Sequence, residues 1–297
     1  MNGFLTEVAK KAVERWAALL ALPGLLYLST AVVAHSLRWR HALDVGRLTR
    51  QISVWAKDPN LRTVGGTMLL AAAALIGSMA AGLASSALSR VISRIWTTPG
   101  RRPPASWFAQ WRRSRSRRAK EKADHPLATP EQIRSAIARA DRICLIEADR
   151  PTWVGDRLRA CRLRVERAYG LDLDAIWPRL WLVIPDPTRN EIVAARDAFS
   201  SAARLMAWGV LYLPLTIWWW PAALVSGAIL VSAQVMTRSS TEVLSELIES
   251  AVDLHGRALA TQLGRPKSDS PVSVDEGRML TTQTRKSRWD PASPLAE

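Results

Sequence analysis

The sequence predicts an all-α fold: a four-span helical membrane protein with a small helical cytoplasmic module and a disordered C-terminal tail. Three observations predict it. Residues 17–37, 64–88 and 205–236 are long apolar stretches without a formal charge. No alternating apolar–polar run of convincing strand length occurs anywhere. Residues 264–297 are rich in Ser, Thr, Pro and charge, a composition too polar to bury a core.

Residues 1–16 read as an amphipathic lead-in, with Phe4, Leu5, Val8, Ala12 and Val13 near one face and Lys10, Lys11 and Glu14 elsewhere; an ordinary solvated helix start is the rival reading. Residues 17–37 give the first span, 21 residues in length, kinked at Pro23-Gly24. A cleaved leader is the rival reading; the run is longer than a usual leader core and its flank is atypical. Residues 38–63 form an outer loop with six Lys or Arg. Within it Leu43, Leu48, Ile52 and Trp55 fall on one face of a short helix lying on the membrane, ended by Pro59 and Asn60.

Residues 64–88 give the second span, rich in Ala, Gly and Ser. Gly66, Gly77 and Gly82 with the intervening small residues make a surface that lets helices approach closely, within the chain or between copies. Residues 89–125 are a basic juxtamembrane linker. Its stretch 101–122 holds nine Lys or Arg against one Glu. There Arg112, Arg113, Arg115, Arg117, Arg118 and Lys120, interleaved with Trp107 and Trp111, are expected to meet anionic lipid. A plain disordered linker and a nucleic-acid partner are the less favoured readings of this charge.

Residues 126–204 form the helical module. Thr129-Pro130-Glu131 starts one helix. A stripe of Leu158, Cys161, Val165 and Tyr169 marks a second, closed by Gly170. Asp172 or Asp174 begins a third, which carries Ile176, Trp177, Leu180, Trp181 and Ile184 and is stopped by Pro185 and Pro187. Residues 188–204 lead as a helix into the apolar stretch from Leu205 to Met236.

That stretch has 32 residues. As one helix it would reach about 48 Å, against a hydrocarbon layer of about 30 Å. Trp218, Trp219, Trp220 and Pro221 break it into a hairpin, with a third span at 205–220 and a fourth at 221–236. Residues 237–263 continue as a cytoplasmic helix with Val243, Leu244, Leu247, Ile248, Ala251, Leu254 and Leu259 in a stripe.

The net charge of +15 first sets orientation and lipid attraction. Residues 89–204 carry 24 Lys or Arg, which places this segment and both termini in the cytoplasm. The basic loop at 38–63 pulls the other way. The two cysteines, Cys144 and Cys161, match no metal or redox spacing and suit a reducing compartment.

No catalytic constellation is present. His35, His41, His125 and His255 have no metal-binding spacing, G-x-S-x-G is missing, and Gly155-Asp156-Arg157 lacks the strand context of a phosphate loop. No span carries Asp, Glu, Lys or Arg, which disfavours a transporter. No cofactor, metal or catalytic residue is assigned. The candidate partner surface is Trp153, Asp156, Arg157, Tyr169, Asp172, Trp177, Arg179 and Trp181. The competing reading makes these residues a small helical core.

TWVGDR, YGLDLDAIWPRLWLVIPD and the following WWWPA hairpin resemble a group of actinobacterial integral membrane proteins with no assigned activity. The resemblance covers roughly residues 150–260. It implies a cytoplasmic module on a membrane hairpin in a bacterial cell membrane, and it transfers no catalytic residue.

The leading expectation is a non-enzymatic, membrane-anchored scaffold or sensor for a cytoplasmic protein partner. A second is a pore-forming effector of a bacterial defence system, oligomerising through 64–88. An enzyme acting on lipids or nucleotides is the third and least favoured.

Overall fold

A computed structural model describes residues 7, 22–59, 63–98, 105–123, 150–268 and 270–285. The lead-in at 1–16 (Glu7 apart), the start of the first apolar stretch, the helix expected after Thr129, Cys144 and residues 286–297 lie outside them. Among the described residues the structure is helical and contains no strand. The helices are α1 (Leu22–Leu37), α2 (Val45–Lys57), α3 (Val64–Thr97), α4 (Ala105–Ala123), α5 (Trp153–Tyr169), α6 (Leu173–Val183), α7 (Asp186–Tyr212), α8 (Pro221–Gln262) and α9 (Val274–Arg285). Two of these, α3 and α8, are long and apolar enough to cross a membrane; α1 is a shorter apolar helix.

The chain forms two compact units. One comprises Met1–Ser93 and Ser200–Val235, the other Arg94–Phe199 and Met236–Glu297.

In the first unit, α1 and α3 approach so closely that a Cβ at Gly24 would strike the Ser78 carbonyl. A Cβ at Gly77 would stand 2.9 Å from Leu28 Cδ1. Ser78, Gly82, Ser85 and Ser89 are buried along one stripe of α3. At Gly77 and Ser78 the small-residue face therefore packs closely against α1 within the chain.

The hairpin closes differently from its sequence expectation. The first arm, expected to run to residue 220, leaves α geometry after Tyr212. Pro214 opens a 3₁₀ turn, Leu213–Ile217, because its ring and missing N–H do not fit a continuing helix. Pro221 does not break a helix; it begins α8, where an N–H is not needed. The Ser226 hydroxyl donates to the Gly209 carbonyl at 2.8 Å and ties the two arms together. Tyr27 of α1 packs edge-on against Tyr212, with ring centroids 5.3 Å apart.

In the second unit, Thr152 caps α5 by accepting from Gly155 N, and Gly170 closes it at φ 65°. Asp172 caps α6. Cys161, Val165, Leu171, Ile176, Leu180, Ile184, Val252, Leu259 and Leu280 form one core.

Leu280 lies in α9, inside the segment expected to be disordered, so that expectation is corrected for 274–285. The helix is capped by Ser273, whose hydroxyl accepts from Glu276 N at 3.3 Å. Its backbone comes so near the end of α5 that side chains are excluded on both sides: a Cβ at Gly277 would strike Tyr169 O, and one at Gly170 would strike Val274 O. Arg257 fixes the preceding loop, donating to Glu276 Oε1 (2.8 Å), Glu276 Oε2 (3.0 Å), Ser270 O (2.8 Å) and Pro271 O (2.9 Å).

Candidate interaction surface

Seven basic residues against one Glu would make an isolated α4 a solvated helix. Arg112 is not solvated: it is 8 % exposed and pairs with Asp156 at 2.6 Å; Asp156 is 3 % exposed. Asp156 sits in the first turn of α5, where the unsatisfied N–H groups favour a carboxylate. Its other oxygen accepts from Arg150 N at 3.0 Å, and Arg112 also donates to Arg150 O at 2.8 Å. Arg150 and Thr152 in turn cap the end of α3. The Arg150 guanidinium donates to Thr97 O, and the Thr152 hydroxyl to Trp96 O at 3.0 Å. This corrects the assignment of Arg112 to a lipid-facing group: burial and pairing turn it inward.

The inward lock leaves an outward face. Trp107 and Trp111 are 68 % and 57 % exposed, and the Arg115 guanidinium lies 5.2 Å from the Trp111 ring centroid. Trp107, Trp111, Arg115 and Arg118 follow a spacing of four, four and three, one stripe of the helix. Arg115, Arg117 and Arg118 are exposed and Arg113 is half-buried. The Lys120 side chain lies outside the described residues.

The eight residues singled out as a partner surface are spread along the second unit. Trp153 and Tyr169 stand at opposite ends of α5, sixteen residues or about 24 Å apart. Most of them brace the fold. Arg157 and Arg164 bracket Glu249 of α8 at 3.4 and 2.6 Å. The Tyr169 hydroxyl donates to Asp253 at 2.9 Å; this bond to a carboxylate, with burial and the nearby charge, pushes its pKa up. Burial pushes the Asp172 carboxyl up, but hydrogen bonds from Arg285, Asp174 N and Ala175 N and the Arg285 charge together hold it below its usual value. Trp177 and Trp181 lie 6.0 Å apart, Arg189 stands 5.6 Å from the Trp181 ring, and Arg238 5.4 Å from the Trp153 ring. Arg179 donates to Ala175 O of its own helix at 3.0 Å.

Cys161 is buried, its thiol facing Ser245 O at 3.7 Å. Burial first, then Glu249, pushes its pKa up to about 12. It is an inert thiol at neutral pH. Among the described residues no group of three or more His, Cys, Asp or Glu is placed to hold a metal ion.

Sequence reasoning missed Glu249, Asp253, Arg257, Glu276 and Arg285. The signal for the first two was present: Glu249 and Asp253, four apart on α8, complement the Arg157–Arg164 stripe of α5.

Trp218, Trp219, Trp220 and Pro221 belong to the first unit. Trp219 Nε1 donates to Ala42 O at 2.9 Å, and Trp39 Nε1 donates to Ile217 O at 2.7 Å. The segment after α1 and the hairpin turn are thus brought together at one place, with Trp39, Trp218 and Trp220 exposed around it.

Comparison with known proteins finds no match: no family model, no curated protein and no solved structure matches the chain.

Proposed function

We propose that this chain is a four-span protein of a bacterial cell membrane, with both termini in the cytoplasm. It acts without catalysis, as a scaffold that presents its helical module to a cytoplasmic protein partner. The observation that carries the reading is the paired indole bonding of Trp39 and Trp219. It supports placing the loop after α1 and the hairpin turn on one membrane face, as four spans require.

Lengths agree with this. Residues 205–212 at 1.5 Å each and the five-residue 3₁₀ turn at 2.0 Å each give about 22 Å without a charged residue. Pro221 to Thr237, again uncharged, gives about 25 Å in α8. Both are short for a layer of about 30 Å and suit a thin bilayer or snorkelling ends. Arg204 and Arg238 stand at those ends. The exposed tryptophans around the turn suit the headgroup level.

The α4 stripe supports an inner-surface contact with anionic lipid. Its rings have the exposure to insert and its arginines the charge to hold phosphates. Scaffolding is favoured over pore formation because part of the small-residue face of α3, the expected route of oligomerisation, already packs against α1 at Gly77 and Ser78.

The test is expression of the full chain in a bacterial host. Retention in the membrane through alkaline carbonate, release by detergent and unchanged permeability to a small dye are expected. Release by carbonate would overturn the membrane reading, and permeabilisation would favour the pore-forming effector.

A further inference from the structure

Thirteen residues form α2, and none of them is buried. Yet its sequence is sharply two-faced. Val45, Leu48, Ile52 and Trp55 recur at spacings of three, four and three, so they share one side. Arg47, Arg50 and Lys57 lie on the other. Val45 and Ile52 are 71 % and 52 % exposed. Leu48, on the same side, is half-buried, so the protein covers this face only in part, and the exposed remainder suits a different apolar phase.

The chain leads α2 to such a phase. Arg38 adopts a left-handed φ of 53°, which turns the backbone away from the axis of α1. Trp39 and Ala42 are then bound to the hairpin turn through the two indole bonds. Asp44 caps α2 by accepting from Arg47 N at 2.8 Å. The helix therefore starts beside the exposed Trp39, Trp218 and Trp220, the residues that suit a headgroup layer.

We infer that α2 lies in the membrane surface, resting on the membrane reading above. Its apolar face enters the acyl boundary, and Arg47, Arg50 and Lys57 hold the phosphates of anionic phospholipid. The surroundings decide the occupant: the exposed Trp39, Trp218 and Trp220 beside the start of the helix suit a headgroup layer, and an anionic one also neutralises the three cations of the opposite side. The inference also accounts for three of the six basic residues of 38–63, Arg47, Arg50 and Lys57, which oppose the orientation set by the larger count at 89–204. On an in-plane helix they bind headgroups and do not set topology.

The test uses the full chain with Cys144 and Cys161 replaced by alanine. It is reconstituted in phosphatidylcholine vesicles with or without phosphatidylglycerol. Nitroxide labels are placed at Ile52→Cys on the apolar side and at Val54→Cys on the polar side. With phosphatidylglycerol, Ile52 should be reached by oxygen and shielded from an aqueous nickel chelate, and Val54 the reverse. Replacing Arg47, Arg50 and Lys57 by glutamine should raise nickel access at Ile52 several-fold.

Equal nickel access at both labels would put α2 in water and overturn the inference. Shielding of Ile52 from both reagents would indicate protein contact and also overturn it. An Ile52 depth independent of phosphatidylglycerol or of the glutamine changes would overturn the headgroup assignment. Carbonate extraction of the same samples separates these outcomes from failure of the membrane reading itself.

Discussion

Trp39 and Trp219, 180 residues apart in sequence, each donate an indole N–H to the backbone of the other's segment. Trp39 reaches Ile217 O at 2.7 Å and Trp219 reaches Ala42 O at 2.9 Å. Neither bond belongs to a helix ladder, so both act only to hold two connections together. Trp39→Phe and Trp219→Phe should each cost about 0.5–1.5 kcal/mol, the usual net worth of one such bond. Because the two bonds share one clamp, the double variant should deviate from additivity by about 0.5 kcal/mol or more. Thermal unfolding of the detergent-solubilised chain measures this, and strict additivity would show the two bonds to be independent.

The Arg112–Asp156 pair is expected to anchor α4. Removing one partner of a buried pair leaves the other charge uncompensated, at about 3–5 kcal/mol. Arg112→Ala and Asp156→Asn should therefore destabilise strongly, while Arg115→Ala, on the exposed face, should change stability by less than about 0.5 kcal/mol. Denaturant melts would read the contrast. Equal effects at 112 and 115 would show that Arg112 is solvated like its neighbours.

The sequence made much of the second unit legible. Gly170 as a helix end and Asp172 as one of two candidate helix starts were legible, and the ends fall there. The all-α class follows from the same periodicities. Arg112 was not legible, because nothing local distinguishes one arginine in a basic run from the rest; its partner is 44 positions away. The docking of α9 was hidden by a polar composition, although Ser273 and Glu276 already form a helix-start signature. Pro214, set among apolar residues close to the more conspicuous tryptophans, gives no separate sign that α geometry ends at Tyr212.

Acid should loosen α9. The folded pKa of Asp172 is depressed, so its contribution is present above the unfolded value of about 3.9 and is lost as pH falls through the folded one. Amide protection across Val274–Arg285 should decline below about pH 4. Asp172→Asn should remove that dependence by weakening α9 at every pH, since the Arg285 pair is then absent throughout. An unchanged pH profile in the variant would assign the acid response to other carboxylates.

The Cys161 thiol gives the opposite sign. Its folded pKa is raised to about 12, so stability is complete below the unfolded value of about 8.5 and falls as pH rises toward 12. In a chain with Cys144 replaced, iodoacetamide at pH 8 should leave Cys161 unmodified until denaturant is added. Rapid alkylation of the native chain would contradict its burial.

The central claim, four spans with the helical module inside, is tested most directly by cysteine accessibility in intact cells. Single cysteines at Ser53, Ser114, Ala223 and Ser270, in a chain lacking Cys144 and Cys161, would be exposed to an impermeant maleimide. The expected result is labelling at 53 and 223 from outside, and at 114 and 270 only after permeabilisation. Labelling of 53 and 223 from opposite sides would contradict four spans and the shared face of the two connections. Labelling of 114 and 270 from outside, with 53 and 223 protected, would keep the spans and reverse the orientation, removing the cytoplasmic scaffold.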